Sequence, residues 1–218
     1  QIVTKCGIKL LSPSRLHRVK HYDTGRSHII ASAEQSLKLL GVEKIDVLLL
    51  HRPDPLMNID ELATAFSQLH QQGKVLHFGV SNFTPSQFSL LQSALAFRLV
   101  TNQIELSLFH SQPLFDGTVD MLYQQRARPM AWSPLGGGKP LAQADQLSPP
   151  VASLLEKYDA SLSQVLIAWL LRHPAGIVPV LGTTQTERLR EGADALKLHL
   201  DREDWFTLLQ WARGYEVP

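Results

Sequence analysis

The chain has 218 residues, a formal charge of +1, 44% hydrophobic and 19% charged residues, and one cysteine. That is enough chain for one good core. The charge is too small to draw it to nucleic acid or an anionic membrane, no apolar run is long enough to span a bilayer, and an internal disulfide is impossible. A lone thiol and no visible signal peptide fit a reducing compartment, so a cytoplasmic protein is expected.

The sequence opens at Gln1 and runs straight into Ile2-Val3-Thr4-Lys5, which reads as a strand. A buried strand at the outset leads us to expect further residues before it. Cys6 to Ser27 reads as a long polar loop with Arg15, His17, Arg18, Lys20 and His21, either a solvated segment or a lid favouring anionic substrates. Ser27 is the expected N-cap of a helix striped by Ile29, Ile30, Ala33, Leu37 and Leu40 and stopped by Gly41. Ile45 to Leu50 then forms an unbroken apolar run that ends at His51-Arg52-Pro53. Such a run suits a strand buried on both faces, and Pro53 cannot extend a ladder.

Asn58 or Asp60 opens a helix that Gly73 ends. Val75 to Val80 is a strand ending in Ser81-Asn82, and Thr84-Pro85-Ser86-Gln87 is a capping box with proline at the first helical position. Leu99 to Ile104 is a strand, 116–125 a helix, and Pro129 to Trp132 a strand closed by Ser133 to Gly138. Residues 139–150 read as an irregular loop. Ser161 and Gln164 form a second capping box, Ile177 to Leu181 a strand, Thr186 to Ala195 a helix, and Asp201 caps the last helix.

Strand then helix repeats about six times, which means a parallel sheet with helical crossovers. A doubly wound sheet and a (β/α)₈ barrel compete. Polar groups recur at nearly every strand's carboxyl end (Lys5, His51, Ser81-Asn82, Gln103, Trp132-Ser133), where a barrel places its chemistry. The expected fold class is therefore an α/β, (β/α)₈ TIM barrel in one domain over residues 1–218, with the first two β/α units missing.

No dinucleotide fingerprint, P-loop, zinc motif or nucleophile elbow is present. The strand-end groups suit a flat polar ring, a phosphate and a polarised carbonyl. Lys5 would depress the pKa of a nearby phenol or thiol. A neutral His51 could donate to a substrate oxygen. Ser81, Asn82 and Gln103 could satisfy a carboxamide, and Trp132 offers a stacking face. Ser133 to Gly138 offers backbone N–H groups to a diphosphate. Thr183 and Arg188 flank a helix start suited to an anion. Cys6 reads as a buried thiol, and Trp169, Trp205 and Trp211, on helices, as core or helix-packing residues.

Val3-Thr4-Lys5, Asp46 to His51, Gly79-Val80-Ser81-Asn82, Asn102-Gln103-Ile104-Glu105 and Trp132-Ser133-Pro134-Leu135-Gly136, in that order, resemble the aldo-keto reductases across essentially the whole chain. The segments His51 to Met57, Phe78 to Pro85 and Gly214 to Pro218 are similar to one bacterial branch of them. The resemblance implies an NADP-dependent carbonyl reductase. Lys5 would lower the pKa of a catalytic tyrosine and His51 would orient the carbonyl. Ser81, Asn82 and Gln103 would bind the carboxamide and Trp132 would stack on the nicotinamide. Ser133, Leu135 and Gly136 would hold the diphosphate, and Thr183, Arg188 and Glu191 the adenosine end. The family's Tyr and Asp lie upstream of Val3, and Tyr22 is not that tyrosine. Gly182 stands where the family often has a lysine, which leaves Arg188, with Gln185, for a 2′-phosphate. NADP (NADPH), ahead of NAD, is the expected cofactor. A small-molecule carbonyl compound is the expected partner, with no nucleic acid, no membrane, no metal and a monomeric state. The competing readings are a nicotinamide-cofactor-binding or regulatory protein with little catalysis, and an isolated fragment without function of its own.

Overall fold

The structure, a computed structural model, describes residues 1–12, 17–138, 141 and 147–217. The chain divides into two compact units, Gln1–Gln103 with Gln124–Ala127, and Ile104–Tyr123 with Arg128–Pro218.

The first unit is built on a parallel ladder in the order β1 (Val3–Cys6), β4 (Ile45–Leu50), β5 (Val75–Ser81) and β6 (Leu99–Glu105, through Gln103 in this unit). Leu48, Leu49 and Leu50 are fully buried, as the non-alternating run requires of a two-sided strand. The crossovers are α1 (Arg26–Leu40), α2 (Ile59–Gln71) and α3 (Pro85–Ser93). Phe66 of α2 stacks on Phe78 of β5 at 4.3 Å between centroids, and Phe97 stacks on Phe78 in turn, tying helix, strand and loop into one aromatic core.

Local chemistry explains most helix starts in this unit. Asn58 caps α2, its side chain accepting from the N–H groups of Asp60 and Glu61. Thr84 and Gln87 close a reciprocal capping box on α3, with Pro85 just inside it. For α1 the N-cap is Gly25, not Ser27. Asp23 accepts the Gly25 N–H at 3.1 Å and turns the chain, so the helix begins one residue before Ser27. Gly41 ends α1 in the left-handed conformation, as expected. The segment read as a structureless loop holds a short antiparallel pair, β2 (Ile8–Lys9) with β3 (His21–Tyr22), pinned by a Lys9–Asp23 ion pair at 2.6 Å. Arg15 lies outside the described residues.

The second unit holds α4 (Thr118–Gln124, through Tyr123), the parallel pair β7 (Arg128–Trp132) and β8 (Val178–Pro179), α5 (Pro149–Tyr158), α6 (Leu162–Leu171), α7 (Thr186–Asp194) and α8 (Arg202–Arg213). Its core gathers Val165, Leu166, Trp169, Leu208 and Leu209 from α6 and α8, with Ala131 of β7. Trp169 and Trp205 stack at 4.6 Å, and each indole N–H donates to the other residue's carbonyl, so neither polar atom is stranded. Residues 149 and 150, read as loop, are the first turn of α5, where proline's missing N–H costs nothing. Residues 139, 140 and 142–146, including Pro140, lie outside the described residues. Asp201 is the N-cap of α8 by position only: its carboxylate takes Lys157 at 2.8 Å instead.

Candidate active site

In the first unit the chemistry sits where strands stop. Lys5 lies on β1 opposite Leu49 of β4, and His51 follows β4 directly, its backbone N–H donating to the Cys6 carbonyl at 2.9 Å. Lys5 and His51 both line a cavity of about 790 Å³, with Cys6, His17 and His28 among its other walls. Burial lowers the proton affinity of Lys5, and the Arg52 guanidinium lowers it further. Burial likewise holds His51 below the usual histidine range, helped by the positive charges of Lys5, Arg52 and Lys20. The imidazole is thus neutral near pH 7 and has one N–H to donate. The Cys6 thiol is buried and pushed up to about 12 by desolvation, which makes it inert packing.

A stability consequence follows. His51 and His173 both titrate below the unfolded value of about 6.5 in the native chain, and burial is the main cause for each. On acidification the unfolded chain takes up these protons first, so stability is fully present above about pH 6.5 and declines as pH falls toward the native values. Urea unfolding midpoints should drop between pH 7.5 and 5.5, before the carboxylates titrate. His51→Asn should flatten that drop, and an unchanged slope would contradict the assignment.

The amide cluster lies at the ends of β5 and β6. Ser81 is paired with Gln103, and the Ser81 hydroxyl donates to the Gln103 carbonyl at 2.8 Å while accepting from the Asn82 side-chain amide at 2.7 Å. Asn82 has φ 59°, a left-handed conformation that asparagine tolerates better than most side chains. Its N–H donates to the Gln103 carbonyl at 2.9 Å. Asn102, fully buried, holds the next residue from both sides, accepting from Phe83 N–H and donating to Phe83 O. Sequence reading gave Asn102 no role; its place beside Gln103 was the signal. Gln103 is only 4% exposed, yet its side-chain amide makes no hydrogen bond among the described residues. The amide atoms are not fully enclosed, since the Thr101 hydroxyl alone is a buried side-chain polar atom without a partner among the described residues, so the Gln103 amide is open to a ligand.

The second unit presents its groups separately. Ser133, Leu135, Thr183, Arg188 and Glu191 line a cavity of about 650 Å³, together with Gly137, Gly138, Ser163 and Gly182. Gly136 and Trp132 are not in its lining. Ser133 has φ 52°, and Gly136, Gly137 and Gly138 have φ 61°, 68° and 82°, a left-handed run open to glycine. Not every amide of this loop faces outward: Gly136 N–H donates to Ser133 O and Gly138 N–H to Leu135 O. Thr183 Oγ1 accepts from Gln185 N–H at 3.1 Å just before α7, whose N-cap has no side-chain partner. The Glu191 carboxylate accepts from the Ser161 and Ser163 hydroxyls, contacts that sequence reading missed because Ser161 already had a role as helix cap. A separate cavity of about 300 Å³ beside Arg172, Trp205 and Phe206 contains none of the candidate residues. No cluster of potential metal ligands occurs among the described residues.

A parallel α/β frame thus carries lysine, histidine and amides at successive strand ends, and comparison with known proteins gives its class as an oxidoreductase. The Aldo/keto reductase family profile matches residues 1–211, and the chain belongs to that family. It is 50% identical over 222 residues to oxidoreductase YdhF of Escherichia coli (strain K12), covering 100% of this chain and 74% of YdhF. It is 49% identical over 221 residues to a 6-dehydroglucose reductase of Agrobacterium fabrum, again covering 100% of this chain and 74% of that protein. Among solved structures, an aldo/keto reductase from Klebsiella pneumoniae, in complex with NADP and acetate, superposes with a TM-score of 0.77 at 25% identity. That match covers 89% of this chain and 67% of the other. No described helix is long and apolar enough to cross a membrane.

Proposed function

We propose that this chain is the larger part of an NADP-dependent oxidoreductase that reduces the carbonyl of a small aldehyde or ketone to an alcohol. In this reading the strand–helix repeat is part of a (β/α)₈ barrel, residues 1–218 belong to one barrel domain, and the protein is monomeric and cytoplasmic. The observation that carries the proposal is the pairing of Lys5 and His51 in one cavity wall, each with its proton affinity depressed by burial and by neighbouring positive charge.

The residues present fit the cofactor. Gln103, with Asn82 and Ser81 beside it, offers the unpaired amide that a carboxamide would complete. Trp132 follows as the stacking face. Ser133, Leu135 and Gly136 belong to the diphosphate segment, and Thr183, Arg188 and Glu191 to the adenosine end. When bound, NADPH supplies a hydride. Neutral His51 donates a hydrogen bond to the substrate oxygen and fixes the carbonyl's orientation. Lys5 favours the anionic form of a neighbouring phenol, so that the phenol releases its proton to the developing alkoxide near pH 7. Among the described residues the wall shared by Lys5 and His51 holds no tyrosine, and in this reading the phenol and its accompanying aspartate are those that the family resemblance places upstream of Val3. The same observation favours a second reading for the chain by itself: cofactor binding with little turnover.

The test has two readouts. NADPH should quench tryptophan fluorescence, and the mixture with a panel of aldehydes should lose absorbance at the nicotinamide band. Quenching without turnover supports the binder. Absence of quenching contradicts both readings. In a chain that turns over, Lys5→Met should lower kcat by on the order of 10²- to 10⁴-fold, the worth of a general-acid step.

A further inference from the structure

Glu191 is an odd residue for its place. It sits in the last turn of α7, where the helix dipole disfavours a carboxylate. Helix stability alone would not choose it. It is nonetheless held by two hydroxyls from another helix: Ser161 and Ser163, the N-cap and second residue of α6, both donate to the same carboxylate oxygen, Oε1. The two hydroxyls are also in contact with each other at 2.9 Å. Ser161 simultaneously accepts the Gln164 N–H of its capping box, so its oxygen faces one helix and its proton another. Ser163, Arg188 and Glu191 all line the 650 Å³ cavity.

We infer that Ser161 and Ser163 are positioning residues: by occupying one oxygen of Glu191 they hold its carboxylate in the cavity wall, with the other oxygen turned to a neutral donor of the bound dinucleotide. The chemistry required of that donor is an N–H or O–H of an adenosine moiety, either the adenine amino group or a ribose hydroxyl. The inference rests on the cofactor reading above and adds to it how the adenosine end is kept in shape. Electrostatics agree: hydrogen bonds from Ser161 and Ser163 hold the carboxyl below its usual range, burial opposes this, and Arg188, one turn earlier on α7, is the charged group that assists. Glu191 therefore stays ionised, and an acceptor, through mildly acid pH.

Ser163→Ala removes one of the two donors and leaves the cap of α6 intact. It should weaken NADPH binding by about three- to tenfold at pH 7, the range for a lost hydrogen bond to a charged group acting at one remove. Its binding should also begin to fall at a higher pH than wild type, as the Glu191 carboxyl moves back toward the ordinary value of about 4.3. Comparing the two proteins at each pH cancels the titration of the cofactor itself. Ser163→Thr, which keeps the hydroxyl, should restore both affinity and profile. Reduced nicotinamide mononucleotide, which lacks the adenosine, should bind the three proteins alike. The hypoxanthine analogue of NADPH, which has a carbonyl in place of the adenine amino group, and 3′-deoxy-NADPH distinguish the two donors, since the 2′ oxygen carries the phosphate: an adenine contact is lost with the first and a ribose contact with the second. If wild type binds NADPH and Ser163→Ala binds it equally across the pH range, the serines merely join two helices and the inference is overturned. If wild type itself fails to bind NADPH, the cofactor reading falls, and this one with it.

Discussion

Replacing Arg188 with methionine should weaken NADPH binding by about ten- to a hundredfold while leaving NADH within about twofold. A hydrogen bond to a charged group contributes on the order of 1.5–3 kcal/mol, and about 1.4 kcal/mol is a factor of ten in affinity. Arg188 is exposed, lines the cavity of the second unit, and makes no ion pair at contact distance among the described residues, so its charge is available to a 2′-phosphate. Gly182 lies in the same wall, and a Cβ there would meet nothing within 4 Å among the described residues. No cation at that position shares the load. Because the guanidinium is exposed, the difference between the cofactors should shrink in about 1 M salt, where charges more than about 3 Å apart are screened. Equal losses for NADPH and NADH would show that Arg188 contacts something common to both, and would remove the argument for NADP.

Gly79→Ala should be among the most destabilising single changes in the first unit, costing about 3 kcal/mol in urea unfolding. A Cβ at this position would lie 2.6 Å from Thr101 Cγ2, 2.8 Å from Thr101 O and 2.8 Å from Leu49 Cδ2. Two of these atoms belong to a residue on the neighbouring strand, one of them backbone, and they cannot swing away. Overpacking of this kind typically costs about 1–3 kcal/mol and at times more. The glycine has a purpose. Phe78 pairs with Leu99, but Val80 pairs with Asn102, so β6 carries one residue more than β5 across this stretch. That bulge sets Ser81 opposite Gln103; without it the side chains beyond would exchange faces. The Thr101 hydroxyl beside it is buried with no partner among the described residues, so Thr101→Val should be neutral or stabilising. An unfolding midpoint for Gly79→Ala equal to wild type would contradict the packing described.

How much of this was readable beforehand depended on whether the signal was local. The Thr84 and Ser161 capping boxes, the Gly41 stop and the apolar run to His51 follow from neighbours in sequence, and each is found where expected. The Gly25 start of α1 was hidden because its cause is Asp23, an acceptor outside the helix. The α5 helix was hidden because Pro149 and Pro150 signal both a loop and a first helical turn. The β2–β3 pair was illegible because two-residue strands show no period. At the site, Lys5, His51 and Gln103 could be named as strand-end groups. The register shift at Gly79, the Asn102 grip on Phe83 and the serines on Glu191 join residues far apart in sequence, and only coordinates bring such partners together. Likewise, the Ser133 to Gly138 loop showed its glycines in the sequence but not that two of its amides bond within the loop.

The most direct test of the central claim is a residue-resolved NMR titration of the ¹⁵N-labelled chain with NADPH. The expected result is perturbation of the backbone amides of Ser133 to Gly138 and Thr183 to Glu191, together with the side-chain amides of Asn82 and Gln103. Perturbation confined to the surroundings of Arg172, Trp205 and Phe206, or none at saturating NADPH, would contradict it.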